Sequence, residues 1–324
     1  MALYKSMQDL IGSTPLVRLH HFSLPEGVRL FAKLELWNPA GSVKDRIGKY
    51  MPACIGWLDV AGIKWAGGFQ NDQRRQLGLP YVTSLILLAD PRIGTFRAVM
   101  DGAWITTMRT GAQTAVALRY LFPQKEIRIG LYGAGAQGRT QISAISQWFD
   151  ILGLTVYDIV PGAAARFADE MAPLVKGKIE VAGEPEQAAE GDAIITVTQS
   201  RTPIVRTEWV RPGTLVFPMG SYQEVEDSLL LGADKIIVDH VEQCLHRGAL
   251  SGLAQRGKLT GEDIYATVGE LAAGSKKVDR IGSQRIVVVP IGTGAMDIAV
   301  AGCVYFKALE RGIGSSFEFV RYDG

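Results

Sequence analysis

From residue 127 onward the chain alternates short apolar runs with helical patterns. The runs are Ile127–Tyr132, Leu154–Asp158, Lys178–Val181, Ala193–Thr198, Thr214–Pro218 and Lys235–Asp239. Each of these reads as a strand. Helical patterns lie between several of them, Ala163–Leu174 and Pro185–Glu190 among them. Strands joined by crossover helices predict an α/β fold with a doubly wound parallel sheet. Its ligand crevice lies at the carboxyl ends of the strands, where Thr198, Gly220, Ser221 and Asp239 fall. Upstream the pattern changes. Gly62–Phe69, Tyr81–Leu88 and Thr95–Met100 read as strands, followed by a helix whose apolar stripe is Ala112, Ala115, Val116, Leu118 and Leu121. Near the end, Arg285–Pro290 reads as a strand and Ala295–Arg311 as an amphipathic helix. The predicted layout is discontinuous. Residues 1–121 and 295–324 form an α+β substrate-binding and dimerisation domain, and residues 122–294 form the doubly wound domain inserted into it. The cleft between two such domains is the expected place for an active site.

The stretch 127–158 sharpens this picture. A strand runs into Gly133-Ala134-Gly135-Ala136-Gln137-Gly138, a helix follows, and a second strand ends in Asp158. That is a dinucleotide fingerprint in its required strand–turn–helix–strand setting, the Rossmann type. Gly133 permits the tight turn, Gly135 lets the backbone approach a pyrophosphate, and Gly138 lets the helix pack on the strand. The helix N-terminus offers N–H groups to phosphate. Asp158 accepts hydrogen bonds from ribose hydroxyls and repels a 2′-phosphate, so NAD is expected rather than NADP. Glycines also make ordinary turns, and the flanking strands and the acid are what weigh for a nucleotide.

Composition bounds the rest. The chain has 324 residues, 47% of them hydrophobic and 21% charged, with a net charge of +1. Nothing in that balance points to nucleic acid or a membrane surface. No apolar run reaches the roughly 18–20 residues of a membrane span. Cys54, Cys244 and Cys303 are far apart and odd in number, which fits reduced thiols and a cytoplasmic protein. His240, Cys244 and His246 lack the spacing of a zinc site, since His246 points away from the face that the other two share. No metal is expected.

From Met51 to the end, the chain resembles the ornithine cyclodeaminase/mu-crystallin family. The residues that carry this are MPA at 51–53, AGIKW at 61–65, DGAWITTMRTGAQTAVALRYL at 101–121 and GAGAQG at 133–138, then AIITVTQSRTPIV at 193–205, GADKIIVDHVEQCLHRGAL at 232–250 and GTGAMDIAVAG at 292–302. The first 47 residues look different. IGSTPLVRL at 11–19 and FAKLELWNPAGSVKDRI at 31–47 resemble the start of cysteine synthase, where the lysine matching Lys44 carries pyridoxal phosphate. No TSGNTG-type loop follows, so the walls that hold such a cofactor are missing and pyridoxal chemistry is not expected.

The family resemblance implies roles. Asp239 is the catalytic aspartate that handles protons; the alternative is a cap for the helix near Val241. Lys64 contacts the substrate, against a snorkelling surface lysine. Arg109 binds the substrate carboxylate, against a salt bridge between elements, and Arg46 lies near a second such position. Thr110 and Gln113 lie near the cofactor phosphates, and Thr198, Gly220 and Ser221 beside the nicotinamide. Asp297 matches a family aspartate, which helix capping explains equally. The implied reaction is ornithine cyclodeamination: hydride passes from Cα to NAD+, the side-chain amine attacks the imine, ammonia leaves and hydride returns. Alanine dehydrogenases, ketimine reductases and siderophore-pathway opine-type dehydrogenases share the same motifs. A mu-crystallin-like protein that binds cofactor without turnover is a further alternative, and a homodimer is implied.

Overall fold

The structure, a computed structural model, describes residues 16–18, 31–33, 49–68, 77, 82–279 and 281–317. Lys44 and Arg46 lie outside the described residues. The strands are β1 (Leu16–Arg18), β2 (Phe31–Lys33), β3 (Lys49–Ile55), β4 (Val60–Gly68), β5 (Val82–Ala89), β6 (Phe96–Asp101), β7 (Glu126–Tyr132), β8 (Asp150–Tyr157), β9 (Lys178–Val181), β10 (Ala193–Thr196), β11 (Leu215–Pro218), β12 (Lys235–Val238), β13 (Ala266–Thr267) and β14 (Ile286–Val289). The helices that matter for the site are α1 (Gly102–Leu121), α2 (Ala136–Ile145), α3 (Ala163–Met171), α4 (Val241–His246) and α5 (Gly294–Glu310). Among the described residues no helix is long and apolar enough to cross a membrane. The chain divides into two compact units, Met1–Ile105 with Gly294–Gly324, and Thr106–Thr293.

In the first unit β3, β4, β5 and β6 form an antiparallel meander in that order. One face packs on α5, with Val60, Ile86 and Leu88 of the sheet against Ile298 and Ala301 of the helix. β3 was not legible in the sequence because Pro52 interrupts it. An edge strand tolerates proline, whose missing N–H faces away from the ladder. β1 and β2 form a separate antiparallel pair.

The second unit holds a parallel sheet of order β13-β12-β14-β11-β10-β7-β8-β9. Alternate residues feed two cores. Ile195, Phe217, Ile237 and Val288 face one side, and Ile194, Val216, Ile236 and Val287 the other. Burial on both faces is why these strands read as continuous apolar runs rather than as alternating ones. The strand order reverses between β7 and β10, and the glycine turn leaves the carboxyl end of β7 at that switch point, where such sheets bind ligands. β14 inserts between β11 and β12, a placement that its sequence position does not suggest.

Several boundaries differ from the expected ones. α1 begins at Gly102, well before the stripe at Ala112; Asp101 Oδ1 accepts the Ala103 N–H at 2.8 Å and starts it. Arg109 therefore lies inside α1. β8 begins at Asp150, before Leu154. Pro185–Ala189 is a short 3-10 turn closed by a capping box, with no α-helical turn. The three cysteines are free, Cys244 buried and the other two exposed.

Candidate functional site

Three clusters carry chemistry. The first is the glycine turn. Gly133 has φ +105°, and its N–H donates to the Tyr157 carbonyl at 2.9 Å, which binds the turn to the end of β8. A Cβ at Gly133 would lie 2.9 Å from the Val197 carbonyl oxygen, and one at Gly138 would overlap the Gly133 carbonyl oxygen. Both glycines are demanded by the protein itself. Gly135 is not. Its φ of −86° and ψ of −164° suit any residue, and a Cβ there would meet nothing within 4 Å. It is also the N-cap of α2, and no side chain caps that helix. An exposed glycine with no internal reason, ahead of uncapped first-turn N–H groups at Ala136–Gly138, fits a phosphate that approaches the backbone. Asp158 is tied to the same turn. Its Oδ2 accepts the Ala134 N–H at 2.7 Å and its Oδ1 the Val160 N–H at 2.8 Å. Each oxygen keeps a further lone pair for a ribose hydroxyl.

Beside the turn sits a residue that sequence reasoning missed. Glu224 is fully buried. Its Oε1 accepts the Thr198 N–H at 2.6 Å and the Thr198 hydroxyl at 2.7 Å. Its Oε2 accepts the Gly220 N–H at 2.6 Å and the Thr196 hydroxyl at 2.7 Å. One carboxylate thus joins the carboxyl ends of β10 and β11. Burial pushes its pKa up, opposed by the bonds from Thr198 and Thr196. Thr198 and Gly220, expected beside the nicotinamide, have these donors committed to Glu224, while Ser221 is exposed. Glu224 lies in the acidic run QEVED, where nothing distinguishes it from a solvated charge.

The second cluster surrounds Asp239. The cap of α4 is His240, whose Nδ1 accepts the Gln243 N–H at 3.5 Å, so Asp239 is free of that duty. Its Oδ2 accepts Gln113 Nε2 at 2.9 Å and the Gly292 N–H at 2.6 Å. The Cys244 thiol lies 3.4 Å from Oδ1 and 3.3 Å from the Val289 carbonyl, and its one proton serves one of them at a time; burial and then the Asp239 charge push that thiol up to about 12. Gln113, expected near the phosphates, directs its amide to Asp239 instead. Arg109 is buried and packs on Gly292: a Cβ there would run into its guanidinium, and the φ of +76° also calls for glycine. Thr110 donates its hydroxyl to the Thr106 carbonyl one turn back on α1, at 2.7 Å.

The third cluster is in the first unit. Lys64 is 2% exposed and its ammonium lies 2.5 Å from Asp297 Oδ2, itself fully buried in the first turn of α5. Asp297 is therefore an ion-pair partner of Lys64, and Lys64 is not a snorkelling surface residue. Among the described residues no group of three or more His, Cys, Asp and Glu is placed to hold a metal.

The parallel sheet, the glycine turn at its switch point and the acid after β8 define a dinucleotide-binding α/β protein. The chain belongs to the ornithine cyclodeaminase/mu-crystallin family, whose profile matches residues 37–312. The match begins at residue 37, inside the 31–47 stretch. The chain is 34% identical to alanine dehydrogenase of Archaeoglobus fulgidus over 275 residues, 84% of this chain and 83% of that protein. It superimposes on Thermococcus litoralis Delta(1)-pyrroline-2-carboxylate reductase in complex with NADH and L-proline with a TM-score of 0.77 at 32% identity, covering 83% of this chain and 84% of that one. An archaeal alanine dehydrogenase dimer with bound NAD matches with a TM-score of 0.78 at 31% identity, covering 94% of this chain and 88% of that one.

Proposed function

We propose that this protein is an NAD-dependent enzyme acting at the Cα–N bond of a small α-amino or α-imino acid. One observation carries this reading: Asp239, held by the Gln113 amide and the Gly292 N–H, sits in one cluster with the buried Arg109 guanidinium, in the unit that bears the dinucleotide turn. Gly133, Gly135 and the first turn of α2 would hold the cofactor's phosphates, and Asp158 its ribose. NAD supplies the group that accepts or returns hydride. Arg109 binds the substrate carboxylate, its planar fork suited to two parallel hydrogen bonds. Asp239 takes or gives the proton on the substrate nitrogen as amine and imine interconvert. Lys64, ion-paired with Asp297, is the substrate contact that the family resemblance implies in the first unit.

The relatives named above are oxidoreductases, which moves the first reading from cyclodeamination to net amino-acid oxidation or imine reduction. Ammonia release and absorbance at 340 nm, followed together with L-alanine, L-ornithine or Δ1-pyrroline-2-carboxylate, test it. Net change in NADH is the expected result. Ammonia from L-ornithine without net NADH would identify a cyclodeaminase. NADH binding with no turnover of any substrate would sink the enzyme reading in favour of a binding protein. Asp239→Asn should lower turnover by about a hundredfold or more and leave NADH affinity intact.

Assembly as a homodimer belongs to the same proposal. On the sheet face turned away from α5, Trp65 and Leu85 are 42% exposed and Val99 45%. Trp65 pairs with Leu85 across the strands and stacks 5.5 Å from Tyr50. An apolar sheet face of this kind marks a contact surface, and a second copy of the chain is the occupant proposed, since the archaeal alanine dehydrogenase that the chain matches is a dimer. A monomer by analytical ultracentrifugation at micromolar concentration would overturn it.

A further inference from the structure

We propose that Gln113 is a substrate-binding residue whose Oε1 accepts a hydrogen bond from the α-nitrogen of the substrate. This rests on the reading of Arg109 and Asp239 as the amino-acid site.

Gln113 is 6% exposed. Its Nε2 donates to Asp239 Oδ2 at 2.9 Å. That bond sets which way round the amide sits, because an ionised carboxylate only accepts. Oε1 is then buried and has no hydrogen-bond partner among the described residues. Buried carbonyl oxygens in native proteins are rarely left so without a reason. A ligand donor is the reason that the surrounding residues supply. Arg109 and Gln113 stand four residues apart on α1 and so share a face. The Arg109 guanidinium packs on Gly292, and the Gly292 N–H meets the same Asp239 oxygen that Gln113 does. A cation, a proton-handling carboxylate and an amide acceptor therefore converge. An α-amino acid presents the complement, a carboxylate and an N–H-bearing nitrogen on neighbouring atoms. A carbonyl acceptor serves an ammonium, a neutral amine and an iminium alike, so it holds the nitrogen while Asp239 exchanges its proton. It also sets specificity, since a site built to receive an N–H rejects an analogue that lacks one.

The test is calorimetry on the full chain with saturating NADH. L-alanine, L-ornithine and L-proline are each compared with the analogue that lacks the α-N–H, namely propionate, 5-aminopentanoate and tetrahydrofuran-2-carboxylate. Wild type should bind at least one amino acid about tenfold or more tighter than its analogue. In Gln113→Met that ratio should fall by about tenfold while affinity for the analogue stays within about threefold. Gln113→Glu sets a carboxylate against Asp239 in place of the amide donor but keeps an acceptor of the same reach, and should keep the ratio at no less than about a third of wild type. Retention of the ratio in Gln113→Met overturns the proposal. So does its loss in both variants, which would trace discrimination to the holding of Asp239. If Gln113→Met fails to bind NADH, Gln113→Glu decides alone: ratio kept supports, ratio lost overturns. If wild type binds no amino acid better than its analogue, the amino-acid reading itself fails, and the contact with it.

Discussion

Glu224→Gln probes the least expected feature of the nucleotide-binding unit. The carboxylate receives four hydrogen bonds, two on each oxygen, and each oxygen meets one backbone N–H, from Thr198 or from Gly220. A glutamine amide must place its NH2 against one of those two N–H groups in either orientation. The partnering hydroxyl, of Thr198 or Thr196, is able to rotate and accept; the backbone N–H has no such freedom. One buried donor therefore loses its partner, at a cost of about 1–3 kcal/mol. For a unit of this size that lowers the melting temperature by roughly 2–12 °C. Glu224→Ala strands four donors and leaves a cavity, and should be worse. The pH dependence carries a sign. Burial raises the Glu224 pKa above the ordinary 4.5, so the folded protein holds this proton more tightly than the unfolded chain. The resulting stability is fully present below 4.5 and is lost as pH rises through the raised value. Glutamine does not titrate. The gap between wild type and Glu224→Gln should therefore shrink as pH rises from 4.5. Thermal melts by circular dichroism at a series of pH values, with NADH titration as a second probe, read both effects. Equal melting temperatures throughout, or a gap that widens with pH, would refute the reasoning.

Gly135→Ala should leave the melting temperature unchanged and weaken NADH binding about tenfold, roughly 1.4 kcal/mol, because its Cβ meets no protein atom. Gly138→Ala, which drives a Cβ into the Gly133 carbonyl, should lower the melting temperature; equal behaviour of the two variants would argue against the pyrophosphate reading. Lys64→Met and Asp297→Leu each break a buried ion pair and should cost about 3–5 kcal/mol in urea unfolding, while the double variant should recover most of it without activity. Additive losses would show that the pair is not coupled. Asp158→Ser should narrow the ratio of NADPH to NADH dissociation constants by about tenfold, since it removes a charge that repels the 2′-phosphate. An unchanged ratio would place cofactor selection elsewhere.

The doubly wound sheet was legible in the sequence because strands buried on both faces are apolar along nearly their whole length, as β10 (AIIT) and β11 (LVFP) are. The dinucleotide turn was legible because the constraints on Gly133, Gly138 and Asp158 are local: a positive φ, a close carbonyl, and an acid one strand further on. Asp239 and Lys64 stood out by position and by resemblance to a family, which says where a residue sits but not what it touches. What they touch was decided by long-range packing. Gln113 and Asp239 are 126 residues apart, and Lys64 and Asp297 lie on a strand and a helix from opposite ends of the chain. No periodicity registers such pairs. Glu224 looked like one more surface acid until the fold closed around it, and the helix cap that was the alternative role for Asp239 belongs to His240. Local chemistry determines turns, strands and caps from residues that are neighbours in sequence. The partner of a buried charge depends on which distant element comes to lie against it, and only the tertiary structure decides that.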